Sequence, residues 1–599
     1  LVPCDDDRSV APPILLLAIH LGVGMACVAL LSVAAALCGV VWVAGVSAVP
    51  IMAYGIIRLI REARASRFDR HAGSGMAGAV ILGAAWLIAW LWATIPPVFY
   101  DELVYHLVMP QRTLVTGELL TVPWNFFTLM PHASDLLLAW GIAVSGELGA
   151  RAVHVTLWMV STLGAWGLVE AVTRPKTGSL VAPLVAGSLA ACPTLWFVAT
   201  LPFAEACLSV ALCAAMGLLA VSRGRPRPWA ALGLVLGLAA TAKLTGLYWA
   251  AAGLMAALVS GWRLVALAQA SGIALISLLP WWVRAFRHTG DPIYPMAYKV
   301  LGGDSWTAEN HARVIGDVAK SAFDMELSGL LRLPLDLVRH PEYFGAAADL
   351  GIVALFATAA TLTWPIVTRL TRCEPGLVRM SDSLAAFVGV AGLAWLATST
   401  TTRFFAPALV LGLTAVAGAV QTLSRRGQVW ALLLMLAAGV SGTWRFLDQH
   451  TTVFSSAGVA LGRESADHYL SRQLDHYRAA RYVLERLPSD AKVLFIGETR
   501  TYYFFCDAVA PSAYDRHPLR QWVEESASPE ALAKRLAHEG ISHVVLNIRE
   551  FNRLRKSYGL LAFTGSDAAT KDRRLKELPR RLRLLFSENM VYVFEVPAL

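Results

Sequence analysis

Pro96-Pro97-Val98-Phe99-Tyr100-Asp101-Glu102-Leu103-Val104-Tyr105-His106 follows an apolar run at 75–95 that is long enough to cross a bilayer. Charge beside hydrocarbon is costly. Two adjacent carboxylates where a helix leaves the membrane are therefore expected to face water, a partner or a substrate. The stretch marks both the end of a span and a candidate site.

Composition agrees with a membrane reading. Of 599 residues, 56% are hydrophobic and 16% charged, and mean hydropathy is +0.55, a balance outside that of soluble domains. A polytopic membrane protein follows. The eight cysteines (Cys4, Cys27, Cys38, Cys192, Cys207, Cys213, Cys373 and Cys506) show no CxxC spacing and lie mostly in apolar runs, so neither a zinc site nor a disulfide framework is indicated. The formal charge of +9 falls into short clusters between apolar runs instead of one basic patch, which argues against nucleic acid.

Apolar stretches near 12–33, 37–60, 75–95, 148–171, 178–195, 203–221, 228–245, 247–261, 264–281, 348–367, 383–398, 404–422 and 428–446 predict about thirteen transmembrane helices, at about 20 residues per span. Residues 11–60 are too long for one helix and read as two spans with no signal peptide. The connections alternate in character. One set holds Arg58, Arg61, Arg64, Arg67 and Arg70; Arg174 and Lys176; Arg223, Arg225 and Arg227; Arg263; Arg369, Arg372 and Arg379; and Arg425 and Arg426. By the positive-inside rule these face the cytoplasm. The other set, 96–147, 196–202, 282–347, 399–403 and everything after 447, faces outward and includes the Asp101-Glu102 loop.

Three regions are expected. Residues 1–73 form a transmembrane hairpin with a basic cytoplasmic loop. Residues 74–448 form the membrane-embedded catalytic domain, with long outer loops at 96–147 and 282–347. Residues 449–599 form an extracytoplasmic soluble α/β domain, because β-rich runs at Ala491–Gly497, Ile541–Ile548 and Val591–Val596 alternate with helical patterns at 473–487 and 529–539. The turn after the first of these runs, Phe495-Ile496-Gly497-Glu498-Thr499, has one glycine and no GxGxxG, so a dinucleotide site is not supported there.

Six charged residues sit at outward span ends: Asp101, Glu102 and Glu205 among the acids, Lys243, Arg284 and Arg403 among the cations. A carboxylate accepts the proton of an attacking hydroxyl when within hydrogen-bond reach, and a second acid orients it or binds a metal. A departing phosphate needs fixed cations, for which Arg offers a bidentate fork and Lys a point charge. Acids beside cations at one membrane face are what transfer from an anionic lipid carrier requires. Outside the cytoplasm no nucleotide donor is at hand, so a lipid-linked donor fits the compartment.

The order of these residues resembles a family. Asp-Glu follows an early span, Glu205 opens a later one in Leu201-Pro202-Phe203-Ala204-Glu205, and Thr241-Ala242-Lys243 ends another. Pro280-Trp281-Trp282-Val283-Arg284 runs on to Gly290-Asp291-Pro292-Ile293-Tyr294-Pro295, and Arg403-Phe404-Phe405-Ala406-Pro407 closes the series. Over residues 75–425 this is similar to bacterial GT-C glycosyltransferases, nearest the protein O-mannosyltransferases and lipid A aminoarabinose transferases of glycosyltransferase family 39 and its kin. The resemblance implies inverting transfer of a sugar from a polyprenyl-phosphate donor to an envelope glycolipid, polysaccharide or protein, in the inner membrane of a bacterium. It implies Asp101 as catalytic base with Glu102 beside it, Glu205 as supporting acid, and Lys243, Arg284 and Arg403 on the donor phosphate. Phe404-Phe405 stands where Tyr is more usual.

Each residue also has a plainer explanation. Acids near a helix start are favourable by about 0.3–1 kcal/mol without any function, and long basic side chains snorkel to interfaces. Tyr105 and His106 are candidate contacts to acceptor or metal, and no cofactor is implied outright beyond a candidate divalent cation. The aromatic loop 103–147, with Trp124, Phe126 and Phe127, suits interfacial helices lining a prenyl groove. A transporter or flippase of lipid-linked sugars is the alternative from another class, but it is expected to place charges near the midplane in repeated halves. A phosphoryl or acyl transferase is the enzymatic alternative.

Overall fold

Small residues decide how closely the apolar helices approach. The computed structural model describes residues 12–47, 57, 73–122, 124–173, 192–222, 228–302, 306–320, 326–340, 344 and 351–598. The helix Pro13–Leu37 packs against Ala133–Thr173 and Ala204–Val221. At the first contact a Cβ added to Gly167 would lie 2.6 Å from the Leu15 backbone, so only glycine lets the two chains close. In hydrocarbon, close approach of this kind supplies the van der Waals packing that holds helices together. The Ala133–Thr173 helix is broken at Ser145 and Gly146, where φ/ψ leave the helical region.

Among the described residues, seven helices are long and apolar enough to cross a membrane. Trp229–Ala242 and Gly246–Val259 are apolar but have only 14 residues each, about 21 Å of rise against a core of about 30 Å. About thirteen spans were expected, and part of that count falls on residues that are not described. Most of 178–195 and much of 37–60 lie outside the described residues, as do Arg58, Arg61, Arg64, Arg67, Arg70, Arg174, Lys176, Arg223, Arg225 and Arg227. The 228–261 region folds as two short helices joined by a tight turn.

The C-terminal segment carries a five-stranded sheet in the order β2-β1-β3-β5-β4, with β1 Lys492–Ile496, β2 Asp507–Val509, β3 His543–Asn547, β4 Arg583–Glu588 and β5 Val591–Glu595. β1 runs parallel to β2 and β3, while β5 is antiparallel to β3 and β4. Alternate residues of β1 feed two cores. Leu494 and Ile496 join Val544, Leu532 and Leu536 on one face, and Val493 and Phe495 join Val545, Val593 and Val483 on the other. Both faces of the central strands are covered, which is why they read as continuous apolar runs. Helices at Tyr477–Arg486 and Pro529–His538 flank the sheet on opposite faces.

The sheet is tied to the membrane helices through the opening stretch. Gly497, at φ 74 and with Phe551 Cβ 2.4 Å from where its own Cβ would stand, turns the chain out of β1. The residues that follow lie on 97–103. Tyr100 Oη is 2.6 Å from Thr499 Oγ1, the Tyr503 hydroxyl donates to Pro97 O at 3.0 Å, and Tyr502 N donates to Leu103 O at 3.3 Å. Arg112 donates to Cys506 O at 2.6 Å, and Phe126 N donates to the Asp515 carboxylate at 3.1 Å. The helix Ala308–Lys320 joins the same interface: Tyr514 donates to Asp317 at 2.6 Å and Arg520 pairs with Glu309 at 2.8 Å.

Candidate active site

Consecutive residues on a helix point about 100° apart, and this separates the acidic pair. Asp101 precedes a π-helical turn, Glu102–His106, closed by Leu107 N donating to Glu102 O at 3.0 Å; such turns are frequent at functional sites. Asp101 Oδ2 meets Arg403 Nη2 at 2.6 Å, and Tyr105 hydrogen-bonds the same carboxyl. Burial disfavours the Asp101 charge, but Arg403 and His106, with these hydrogen bonds, outweigh it and hold the carboxyl below its ordinary range.

Glu102 turns to other partners. It is fully buried, accepts from Arg151 at 2.6 Å and from Phe99 N at 3.1 Å, and Arg151 also donates to Thr200 O at 3.1 Å. It was expected to act beside Asp101; its carboxylate ties the loop to Arg151 and, through that side chain, to Thr200.

Three helix ends bring the remaining groups to Asp101. Glu205 sits in the first turn of Ala204–Val221. Lys243 caps Trp229–Ala242 with extended backbone, in a turn so tight that a Cβ on Gly246 would lie 1.8 Å from Ala239 O. Arg403 lies in the short turn Thr402–Phe405 that opens Ala406–Gln421. Lys243 Nζ donates to Glu205 Oε1 at 2.9 Å. Its ammonium lies 3.8 Å from the Phe404 ring centre, and the Arg403 guanidinium lies over Phe203 at 4.3 Å and Phe404 at 5.3 Å. Ring faces attract cations, so the two phenylalanines hold both positive groups in one place.

Arg284 does not join them. It donates to Thr128 O at 2.6 Å, to Thr121 Oγ1 at 2.6 Å and to Leu120 O, so its fork is spent on the 120–128 loop. It was expected on the donor phosphate, and in the structure it braces that loop. His106 Nδ1 is 2.9 Å from Asp135 Oδ1, while the Tyr105 ring stacks on Phe127 at 4.4 Å. His132 binds Met130 O at 2.8 Å.

Sequence reasoning missed Arg151, Asp135, Phe203 and Phe404. Arg151 and Asp135 carry the usual signal of a charge inside an apolar run. The phenylalanines look like ordinary span-end aromatics until their cations are placed.

The three close metal-type ligands among the described residues are Asp475, His476 and Glu498 in the C-terminal segment. Arg500 already supplies a cation there: it reaches Asp475 at 3.0 Å and Glu498 at 2.7 Å, and Asn547 donates to both carboxylates at 3.2 and 2.9 Å. Burial opposes ionisation of Glu498, yet Arg500 and His476 pull its pKa down to about 2. The donor set fits a guanidinium better than a metal ion.

No protein-family model and no curated protein matches the chain. Among solved structures, ArnT from Cupriavidus metallidurans bound to undecaprenyl phosphate superposes with TM-score 0.52 at 13% identity, covering 88% of this chain and 99% of that one. The same protein in the apo state gives 0.52 at 14%, covering 87% and 98%. At such identity the likeness concerns architecture, and it extends over nearly the whole of both chains. The chain shares the polytopic helical fold of these ArnT structures.

Proposed function

We propose that this protein is an inverting glycosyltransferase that moves a sugar from a polyprenyl-phosphate carrier to an envelope acceptor at the outer face of a bacterial inner membrane, with residues 449–599 on that side. The observation that carries this reading is the cluster of Asp101, Arg403, Glu205 and Lys243 at the ends of apolar helices. The side chains of Asp101, Arg403 and Lys243 remain 20%, 17% and 19% exposed, so a ligand can reach them. The shared fold supports it, since ArnT was solved with undecaprenyl phosphate bound.

In this scheme the acceptor oxygen attacks the anomeric carbon from the side opposite the phosphate and its proton passes to Asp101. The carbon–oxygen bond to phosphate breaks and its electron pair stays on the phosphate, which Arg403 and Lys243 stabilise. Glu205 holds Lys243 in place. Glu102, through Arg151, and His106, through Asp135, position the loop that carries Asp101. Arg403 and Lys243 are the cations the cluster offers to that phosphate.

Purified protein incubated with a polyprenyl-phosphate sugar and envelope extract is expected to release polyprenyl phosphate, followed by mass spectrometry of the lipid. Intact carrier after prolonged incubation with extracts of the native envelope would count against the reading.

A further inference from the structure

The candidate site contains two carboxylates and two cations, already joined as Asp101–Arg403 at 2.6 Å and Glu205–Lys243 at 2.9 Å. Their formal charges cancel. A phosphodiester entering this cluster meets no spare cation, so it must compete with the carboxylates for the same guanidinium and ammonium groups. The two pairs differ in how readily they yield. Glu205 is 1% exposed, and separating it from Lys243 would leave an unpaired charge in the protein interior, which is strongly unfavourable. Asp101 and Arg403 are both partly exposed. Arg403 Nε is buried and has no hydrogen-bond partner among the described residues, so the guanidinium keeps an unused donor while Nη2 is held by Asp101.

Resting on the glycosyl-transfer reading above, we propose that Asp101 and the donor phosphate compete for Arg403, so that donor binding draws Arg403 off Asp101 and frees the carboxylate to act as base. Glu205–Lys243 stays closed as the fixed half of the site. While Arg403 lies against Asp101 it stabilises the charged carboxylate and weakens it as a proton acceptor. Once the phosphate takes the guanidinium, that restraint is lifted. The transfer step then balances around one side chain. The acceptor hydroxyl gives its proton to Asp101, the acceptor oxygen bonds the anomeric carbon, and the broken bond leaves its electron pair on the phosphate. Negative charge passes from Asp101 to the phosphate, where Arg403 already lies. The donor must therefore bind before the acceptor is deprotonated, and loss of the proton from Asp101 helps to expel the lipid phosphate.

The test is binding, separate from turnover. Full-length protein in detergent is titrated with polyprenyl phosphate as wild type, Asp101→Asn and Glu170→Gln. Glu170 is a control, since its carboxylate accepts from Trp166 Nε1 at 2.7 Å. Removing a charge-assisted competitor predicts binding about tenfold or more tighter in Asp101→Asn, with Glu170→Gln like wild type. Asp101→Ala serves if the amide disturbs folding, with the same expectation. Unchanged or weaker binding in the Asp101 variants overturns the competition and leaves the donor reading standing. Equal tightening in Glu170→Gln reduces the effect to overall charge and also overturns it. A wild type that binds no polyprenyl phosphate overturns the donor reading itself.

Discussion

Arg403 bonds Asp101 through one terminal nitrogen and rests on the ring faces of Phe203 and Phe404. A planar guanidinium satisfies both demands and a compact ammonium does not. Arg403→Lys keeps the charge and is expected to raise the donor KM by about tenfold, with acceptor KM little changed. Steady-state kinetics with each substrate varied in turn checks this. At this scale the sequence was legible in part. Asp101, Glu205, Lys243 and Arg403 were picked out by the cost of charge at span ends, and the fold gathers them. Glu102 and Arg284 gave the same signal for a different reason, because a buried carboxylate against Arg151 and an arginine on loop carbonyls are equally costly and equally placed in sequence. Hydropathy registers the cost of a charge but not the direction of its side chain.

Elements were easiest to read where burial is one-dimensional. β1, β3 and β5 show as apolar runs because their neighbours cover both faces, whereas β2 has three residues and β4, Arg583–Glu588, is largely exposed and alternates weakly. The turn at Lys243 was read as a span end, but the shortness of its two 14-residue helices was hidden, because with the turn between them they read as adjoining full-length spans. The contact between Pro13–Leu37 and Ala133–Thr173 depends on one missing side chain. Gly167→Val would push a Cβ to 2.6 Å from Leu15 backbone atoms. Overpacking of this kind costs about 1–3 kcal/mol, so the variant is expected to lower the Tm of the detergent-solubilised protein. A Tm equal to wild type would show that the helices part without cost.

Across the whole molecule, the C-terminal sheet holds the stretch 97–126 from outside the apolar helices, and Asp515 lies in that junction. Burial raises its pKa to about 7, against the hydrogen bonds from Ser512 and Phe126 N and the charge of Arg313. The folded protein therefore binds this proton more tightly than the unfolded chain does. Its contribution to stability is fullest below the ordinary value of 3.8 and falls as pH rises towards about 7. Full ionisation costs about 4 kcal/mol. Glu498, held down at about 2 from 4.5, acts the other way and mainly below this window, losing its contribution as pH falls. Buried His517, held down at about 4, opposes Asp515 within this window, so the check is a difference: from pH 4 to 7 the Tm of Asp515→Asn is expected to rise relative to wild type, and a constant difference would remove Asp515 from the junction's energetics. The docking of Thr499 and Tyr503 on the Asp101 loop was not readable beforehand, since the contacts join residues some 400 positions apart through polar tips.

The central claim is that Asp101 takes the proton in transfer from a lipid-linked sugar. Its most direct test is single-turnover release of polyprenyl phosphate from a polyprenyl-phosphate sugar by purified wild type and Asp101→Asn, with acceptor present and both proteins shown to bind the carrier lipid. The account predicts release by wild type and a loss on the order of a hundredfold or more in the variant, despite carrier binding that is no weaker. Release by Asp101→Asn at the wild-type rate would contradict it.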